Sequence, residues 1–484
     1  MGSDLKSKAL KGFLWSGYQK AGSMTISFLA NLILARLLTP SDFGCIGMIL
    51  VFVNLSSVFI DAGFGSALIQ RKDITETDFS TIFIWNIFIG SCLYGILYLL
   101  SPYIANFYGI QKLSSYLRVL GIVLIFNSFS LIQTTILKKK LEFKLLANCY
   151  IISSIIALVI TIWMAYHNYN VWSLVVFQIV VSGINSILLW IFTKWRPNLR
   201  WSFSSFKKLF SFGGYLLASS IISMCSKQLQ TLLIGKLCST STLGYYTQAR
   251  NLEQAPTNVI YSVIGQVTYP LFSARQENLE YFNRLFLKVR NGVTFFILPL
   301  MSLLILIAKP LIITLFSEKW IDSVYYFQLL CITGSIIPLI DISVFAISAL
   351  GHSKLILKWT LINNIICICM LLVGSLWSID GIIFAYIIYA GIALLNYCIL
   401  LKKVSGLTLL QQSKDYFFIF SICAVLCSIT FLINYTTDAS NIMIIISSIV
   451  FLSIYIGISL ILKLSSAIEF IRVLKSIFIR FSKK

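Results

Sequence analysis

NIMIIISSIVFLSIYIGISLIL, residues 441–462, runs for 22 positions without a charged side chain. At a rise of 1.5 Å per residue a helix of this length reaches about 33 Å, enough to cross a hydrocarbon core of about 30 Å. The run shows no alternation of period two. In lipid its backbone N–H and C=O groups must bond within the segment, so it is read as a transmembrane helix. Runs of the same character recur back to the N-terminus. Between them lie short polar connections such as TPSDFG at 39–44, HNYN at 167–170, WSID at 377–380 and NYTTDASN at 434–441. The fold class is therefore all-α integral membrane, with about fourteen transmembrane helices and almost no water-soluble domain.

Composition agrees. Of 484 residues 58% are hydrophobic and only 11% charged, against about 25% charged in a soluble domain. The net charge of +21 suggests nucleic acid until the charges are placed. With the connections numbered alternately, 29 of the 38 basic residues fall on one side and six on the other, with Lys20, Arg36 and Lys227 inside spans. The positive-inside rule makes the basic side cytoplasmic and puts both termini there. The charge is topology, and no nucleic-acid partner is expected.

Two stretches, 101–117 and 201–210, read as amphipathic interfacial helices, and the span after the first connection reads as one helix over 44–69. The basic tail beyond Ile461 (FIRVLKSIFIRF) is expected to lie on the anionic inner leaflet. Eleven cysteines fall almost wholly within spans and two histidines are far apart, so neither a disulfide framework nor a metal site follows. No phosphate loop G-x-x-x-x-G-K-[ST], zinc motif H-E-x-x-H or suitable nucleophile elbow occurs. The outer loops are too short to build a glycan-joining active site. No enzyme and no cofactor are expected.

The most informative internal feature is a repeat. ILARLLTPSDFG at 33–44 aligns with LIGKLCSTSTLG at 233–244, so that Leu37 matches Leu237, Arg36 matches Lys236 and Gly44 matches Gly244. Six spans separate the copies, so both cross in the same direction. This predicts two six-helix lobes, residues 1–195 and 196–404, related by an axis along the membrane normal, with 405–484 as two extra helices and the tail.

Ionisable groups inside a membrane are costly unless they meet water or a partner, which makes each a candidate. Lys20 either snorkels to the cytoplasmic edge or serves transport. Arg36 and Lys236 stand near outer helix ends, where capping of the C-terminal dipole competes with cargo binding. Asp61, read as mid-depth in its helix, is either a salt-bridge partner of Arg36 or a coupling carboxylate. Lys227, beside Gln228 and Gln230, is the best candidate for a cavity-facing cation. Arg250 opens the eighth span, Asp341 follows Pro338, and Arg290 stands at a helix start. Asn31 and Asn54 could line a polar path. The assignment is Arg36, Lys227, Lys236, Arg250, Gln228, Gln230 and Asn31 for cargo, and Asp61, Asp341, Lys20 and Arg290 for coupling or gating. A mainly cationic cavity of this kind suits an anionic cargo such as a diphosphate.

LARLLTPSDFG (34–44) followed by DAGFGSALIQRKD (61–73) resembles the Wzx-type polysaccharide flippases of the multidrug/oligosaccharidyl-lipid/polysaccharide superfamily. So do LLIGKLCSTSTLGYYTQARNL (232–252), TYPLFS (268–273), KPLIITLFSEKW (309–320) and ALGHSKL (349–355). The resemblance, closest to the colanic-acid and teichuronic-acid branch, covers nearly the whole chain in order. It implies a bacterial cytoplasmic-membrane protein that moves undecaprenyl-diphosphate-linked oligosaccharides to the outer leaflet by alternating access. A proton or sodium gradient would serve as drive. Expected partners are the lipid-linked oligosaccharide, membrane lipids, and the glycan polymerase with its chain-length machinery. By position Arg36 and Arg250 match basic residues of the family motifs, and Asp61 matches an acidic one. Gln230 stands where the family often has Asp. A lipid II-type or multidrug exporter of the same superfamily, or a membrane glycan polymerase, is the alternative.

Overall fold

The structure, a computed structural model, describes residues 22–61, 63–70, 73–198, 200–437, 440–464 and 466–468. Among these the regular structure is helical throughout, without a strand. In order the helices are α1 (Gly22–Leu37), α2 (Pro40–Asp61), α3 (Phe64–Gln70), α4 (Glu76–Tyr108), α5 (Leu113–Leu120), α6 (Ile122–Lys139), α7 (Phe143–Tyr166) and α8 (Val171–Thr193). They continue with α9 (Phe203–Leu237), α10 (Thr240–Ser273), α11 (Leu279–Leu306), α12 (Ala308–Phe316), α13 (Ser323–Ala349), α14 (Ser353–Gly374), α15 (Ser378–Ser405), α16 (Leu409–Thr436) and α17 (Asn441–Ile461).

Ten stretches among the described residues are long and apolar enough to cross a membrane. One of them, Ser353–Ser405, runs to 53 residues and holds two helices, α14 and α15, which turn on each other where Gly374 meets the backbone of Gly381. The helices α9 and α10, with 35 and 34 residues, also have the length, and they hold Lys227 in the one and Arg250 and Glu253 in the other. Lipid-facing positions are apolar, as a hydrocarbon solvent requires: α16 leaves Phe417, Val425, Phe431 and Leu432 exposed. A soluble protein would not show so continuous an apolar face.

Packing divides the chain into two compact units, Met1–Thr247 and Gln248–Lys484, with the division inside α10. In the first unit α7 packs on α8, α6 lies between α4 and α8, and α9 lies against α2, α3 and α4. Its aromatic centre is Phe83, edge-on to Phe129, Trp190 and Trp195. In the second unit α13 packs on α11 and α15 over a core of Phe272, Phe282, Phe286, Leu339, Ile342 and Leu401. There α16 and α17 dock on α11: Asn291 donates to Asp415, and the Tyr455 hydroxyl donates to the Phe295 carbonyl at 3.0 Å.

The repeated motif turns out to be a capping device. Thr39 precedes Pro40, the first helical residue of α2, and Asp42 accepts from the Thr39 N–H at 2.9 Å and its hydroxyl at 2.7 Å. Two hundred positions later Ser239 precedes α10 and accepts from the Thr242 N–H at 3.1 Å, while the two hydroxyls bond at 2.8 Å. Each motif thus satisfies the orphan N–H groups of a helix start. The two starts also pack on each other. A Cβ at Gly44 would lie 2.7 Å from the Thr240 carbonyl carbon, and one at Gly244 would lie 2.6 Å from the Pro40 carbonyl carbon. The Ser41 and Thr240 hydroxyls bond across the crossing at 3.2 Å. The contacts are reciprocal at an offset of 200.

Two expectations are corrected. The run 44–69 is not one helix: α2 stops at Asp61, Gly63 turns the chain at φ 71°, and α3 restarts at Phe64. The left-handed region, open to glycine at little steric cost, ends the helix there. Asp61 is accordingly a terminal residue and not mid-helix. The stretch 101–117 is not one interfacial helix either. The α4 helix continues through Pro102 to Tyr108, and Gly109, at φ 71°, closes it before the short α5. The stretch 201–210 does lead into α9, capped by Ser202, whose hydroxyl accepts from the Ser205 N–H at 3.2 Å.

Candidate transport site

The break between α2 and α3 makes the site. A helix end presents unpaired carbonyls and a partial negative charge, and α2 adds the Asp61 carboxylate at that end. Space beside it is kept by Gly65, where a Cβ would meet Asp61 Oδ1 at 3.1 Å and Thr135 Oγ1 at 3.5 Å. The short α3 is anchored by Phe64, which is wholly buried among Phe206 and Phe210. Its far end is held by Lys139, whose Nζ donates to the Leu68 carbonyl at 3.1 Å.

Opposite the break, α9 presents Ser220, Ser223, Met224 and Lys227. The spacing i, i+3, i+4, i+7 places all four on one helix face. Together with Val58, Asp61 and Gly63 they line a cavity of about 350 Å³. It therefore holds one cation, one carboxylate and two hydroxyls. This is less cationic than the charge census implied, because the census could not tell which side chains share a space. Such a cavity can accept an anionic oxygen on Lys227, give or accept hydrogen bonds at the serines, and hold charge balance at Asp61.

The other predicted residues stand elsewhere. Lys236 donates to the Phe107 carbonyl in the last turn of α4 and lies 4.4 Å over the Phe107 ring, so it caps a neighbouring helix. Gln230 is buried at 2% exposure and accepts from the Tyr246 hydroxyl at 2.7 Å. Gln228 reaches Met224 Sδ at 3.6 Å. Arg36 is exposed in the last turn of α1, and Asn31 is half-buried on the same helix. Asn54 is half-buried in α2. In the second unit Arg290 stands not at a helix start but inside α11, buried at 2% exposure, with its guanidinium 3.5 Å from Ser343 Oγ and 3.5 Å from Cys398 Sγ. Asp341 is half-buried within electrostatic reach of Tyr261. Arg250 is half-buried on α10. Lys20 lies outside the described residues, as does the basic tail from 469 onward.

Three features escaped the sequence reading. The serine stripe on α9 was available from its helical spacing with Lys227. The break at Gly63 was signalled by two glycines after an acidic residue. Glu253 was passed over among the polar neighbours of Arg250, yet it is buried at 4% exposure.

The family profile described as polysaccharide biosynthesis protein matches residues 33–325, a span that contains both copies of the capping motif and the whole cavity. The chain belongs to the polysaccharide biosynthesis protein family. Among its relatives is the teichuronic acid biosynthesis protein TuaB of Bacillus subtilis, 26% identical over 441 residues and covering 89% of each chain. Another is the lipopolysaccharide biosynthesis protein WzxC of Escherichia coli, 22% identical over 406 residues, covering 83% of this chain and 82% of that one. Among solved structures, the lipid II flippase MurJ in an inward closed conformation superposes with a TM-score of 0.74 over 92% of this chain and 98% of that one. At 16% identity that likeness shows a shared fold. The family member described here is thus a multi-pass membrane protein with a flippase-like helical fold.

Proposed function

We propose that this protein carries lipid-linked oligosaccharides across a bacterial cytoplasmic membrane, from the inner to the outer leaflet, by alternating access. The observation that carries the reading is the cavity that joins Lys227 to Asp61 at a broken helix. An ammonium within a membrane helix is costly unless it meets water or a partner, and a cavity with polar walls lets it do so. Lys227 would take a diphosphate oxygen, a charge-assisted bond worth about 1.5–3 kcal/mol. Ser220 and Ser223 would meet the first sugar hydroxyls, and the polyprenyl chain would stay in lipid. Because Lys236 is engaged with α4 and Gln230 with Tyr246, the cargo role falls on Lys227 first. The family and the relatives' names support a glycan cargo.

On this reading α1, α9 and α10 also cross the membrane, giving fourteen crossings, six for each of the two lobes and two more in α16 and α17. Both termini then lie in the cytoplasm with the basic loops. The protein is a carrier and no enzyme: it makes and breaks no bond, and a proton or sodium gradient drives net movement. A glycan polymerase would consume the flipped unit on the outer face.

The test is to deplete the protein in its own host and ask which leaflet holds the intact lipid-linked units. Accumulation on the cytoplasmic face is expected, cleared by wild type and by Lys227→Arg but slowed about tenfold or more by Lys227→Ala, the factor equivalent to losing about 1.4 kcal/mol. Units that reach the outer face normally and fail only to polymerise would refute the reading and favour a polymerase.

A further inference from the structure

The second unit contains a buried carboxyl group that the cargo site does not use. Glu253 sits one turn after Arg250 on α10, at 4% exposure, and its Oε1 accepts from the Thr257 hydroxyl at 3.0 Å. The wall facing it is shaped around the carboxyl. A Cβ added at Gly334 of α13 would lie 3.2 Å from Glu253 Cδ and closer still to Oε1, and 3.2 Å from Met301 Sδ of α11. Only a glycine at 334 leaves the carboxyl its place.

The titratable and charged groups around it are few. On its own helix there is Arg250; from α13 there is Cys331; from α14, Cys367 faces Arg250 in turn. Beside these, the Thr257 hydroxyl and the bare backbone of Gly334 face the carboxyl. This setting offers the group two states. Neutral, it sits in a buried wall where a charge would be expensive. Charged, its oxygen accepts from the Thr257 hydroxyl and it has Arg250 within electrostatic reach as counter-ion. A carboxyl with a supported neutral form and a supported anion can take a proton at one membrane face and give it up at the other.

We propose that Glu253 is a proton-carrying carboxyl of this transporter, alternating between a neutral form favoured by its burial and an anion supported by Thr257 and Arg250. This rests on the transporter reading for its purpose, but the protonation itself does not. The proton is bound at a carboxylate oxygen and leaves from it unchanged, so no other reactant is required. Because Arg250 shares the site, an anionic cargo at Arg250 and the Glu253 anion would compete for the same cation, so cargo contact would favour the protonated carboxyl.

The test uses the full chain in native membranes and dicyclohexylcarbodiimide, an apolar reagent that attacks protonated carboxyl groups. Modification is expected on the peptide carrying Glu253, falling at least tenfold between about pH 6 and about pH 9, and absent in Glu253→Gln. Arg250→Gln should extend labelling to higher pH. Absence of labelling at every pH, or labelling independent of pH, overturns the proposal and leaves a fixed Arg250–Glu253 ion pair. In cells Glu253→Asp is expected to clear lipid-linked units, and Glu253→Gln to clear them at least tenfold more slowly. Clearance by Glu253→Gln at the wild-type rate also overturns it. If wild type clears no units while the labelling behaves as expected, the transport reading fails and the proton site stands.

Discussion

Replacing Gly244 with alanine puts a methyl group 2.6 Å from the carbonyl carbon of Pro40 and 3.1 Å from its Cα. Carbon atoms in contact rest at about 3.5–4.0 Å, and the Pro40 carbonyl oxygen lies closer still to the added methyl, so the starts of α2 and α10 must part by more than about 1 Å. Both opposing atoms belong to backbone, and no rotamer can move them aside. Overpacking of this kind costs about 1–3 kcal/mol, more where nothing can yield. At about 1.4 kcal/mol per factor of ten, the closed crossing should lose between about fivefold and about 150-fold in population. The crossing can be read directly, because the Ser41 and Thr240 hydroxyl oxygens stand 3.2 Å apart. Cysteines at both positions, with Cys238 replaced by serine, should cross-link readily in membranes. Adding Gly244→Ala should cut the yield at least fivefold, and Gly44→Ala should do the same by reciprocity. Gly95→Ala, where no atom lies within 4 Å, is the control and should change nothing. A cross-linking yield unaltered by both Gly44→Ala and Gly244→Ala would refute the reciprocal backbone contact.

Other outcomes follow from single contacts and can be read as melting of the detergent-solubilised protein. Tyr246→Phe leaves the Gln230 carbonyl without the hydroxyl that reaches it at 2.7 Å, and should cost about 1–3 kcal/mol; an unchanged melting temperature would show that the bond contributes nothing net. Lys139→Ala removes the ammonium that caps the end of α3 through the Leu68 carbonyl, a loss of about 0.3–1 kcal/mol, checked by faster hydrogen exchange in 64–70. Arg290→Met keeps the buried stem and removes a cation held at 3.5 Å by Ser343 and Cys398. It should be neutral within about 1 kcal/mol or stabilising, whereas Arg290→Ala leaves a cavity and costs about 2–5 kcal/mol. Equal damage from both would mean that the guanidinium itself holds the core.

The class of the molecule is written locally. A run such as 441–462 reads as a membrane helix without knowledge of its neighbours, because lipid forces each segment to satisfy its own backbone. The repeat is local too: Thr39, Asp42 and Gly44, and Ser239, Thr242 and Gly244, announce two helix starts built alike. Charges inside apolar runs likewise nominated Asp61 and Lys227, since each is costly wherever it lies. Helix ends were harder, because Gly63 and Gly109 stop helices whose hydropathy continues past them.

What no linear reading could supply is which nominated groups meet. Asp61 and Lys227 share a cavity only because α9 packs against α2 and α3, and Lys236 turns to the Phe107 carbonyl because the end of α4 lies within its reach. Glu253 is one polar residue among several near Arg250 along the chain, and it is the glycine at 334, on another helix, that makes room to bury it. Hydropathy and capping act along the chain, over one helical turn or one membrane thickness, and the sequence alone determined what depends on them. Charge pairing and backbone clearance act between segments hundreds of residues apart, and only the packed helices decided those.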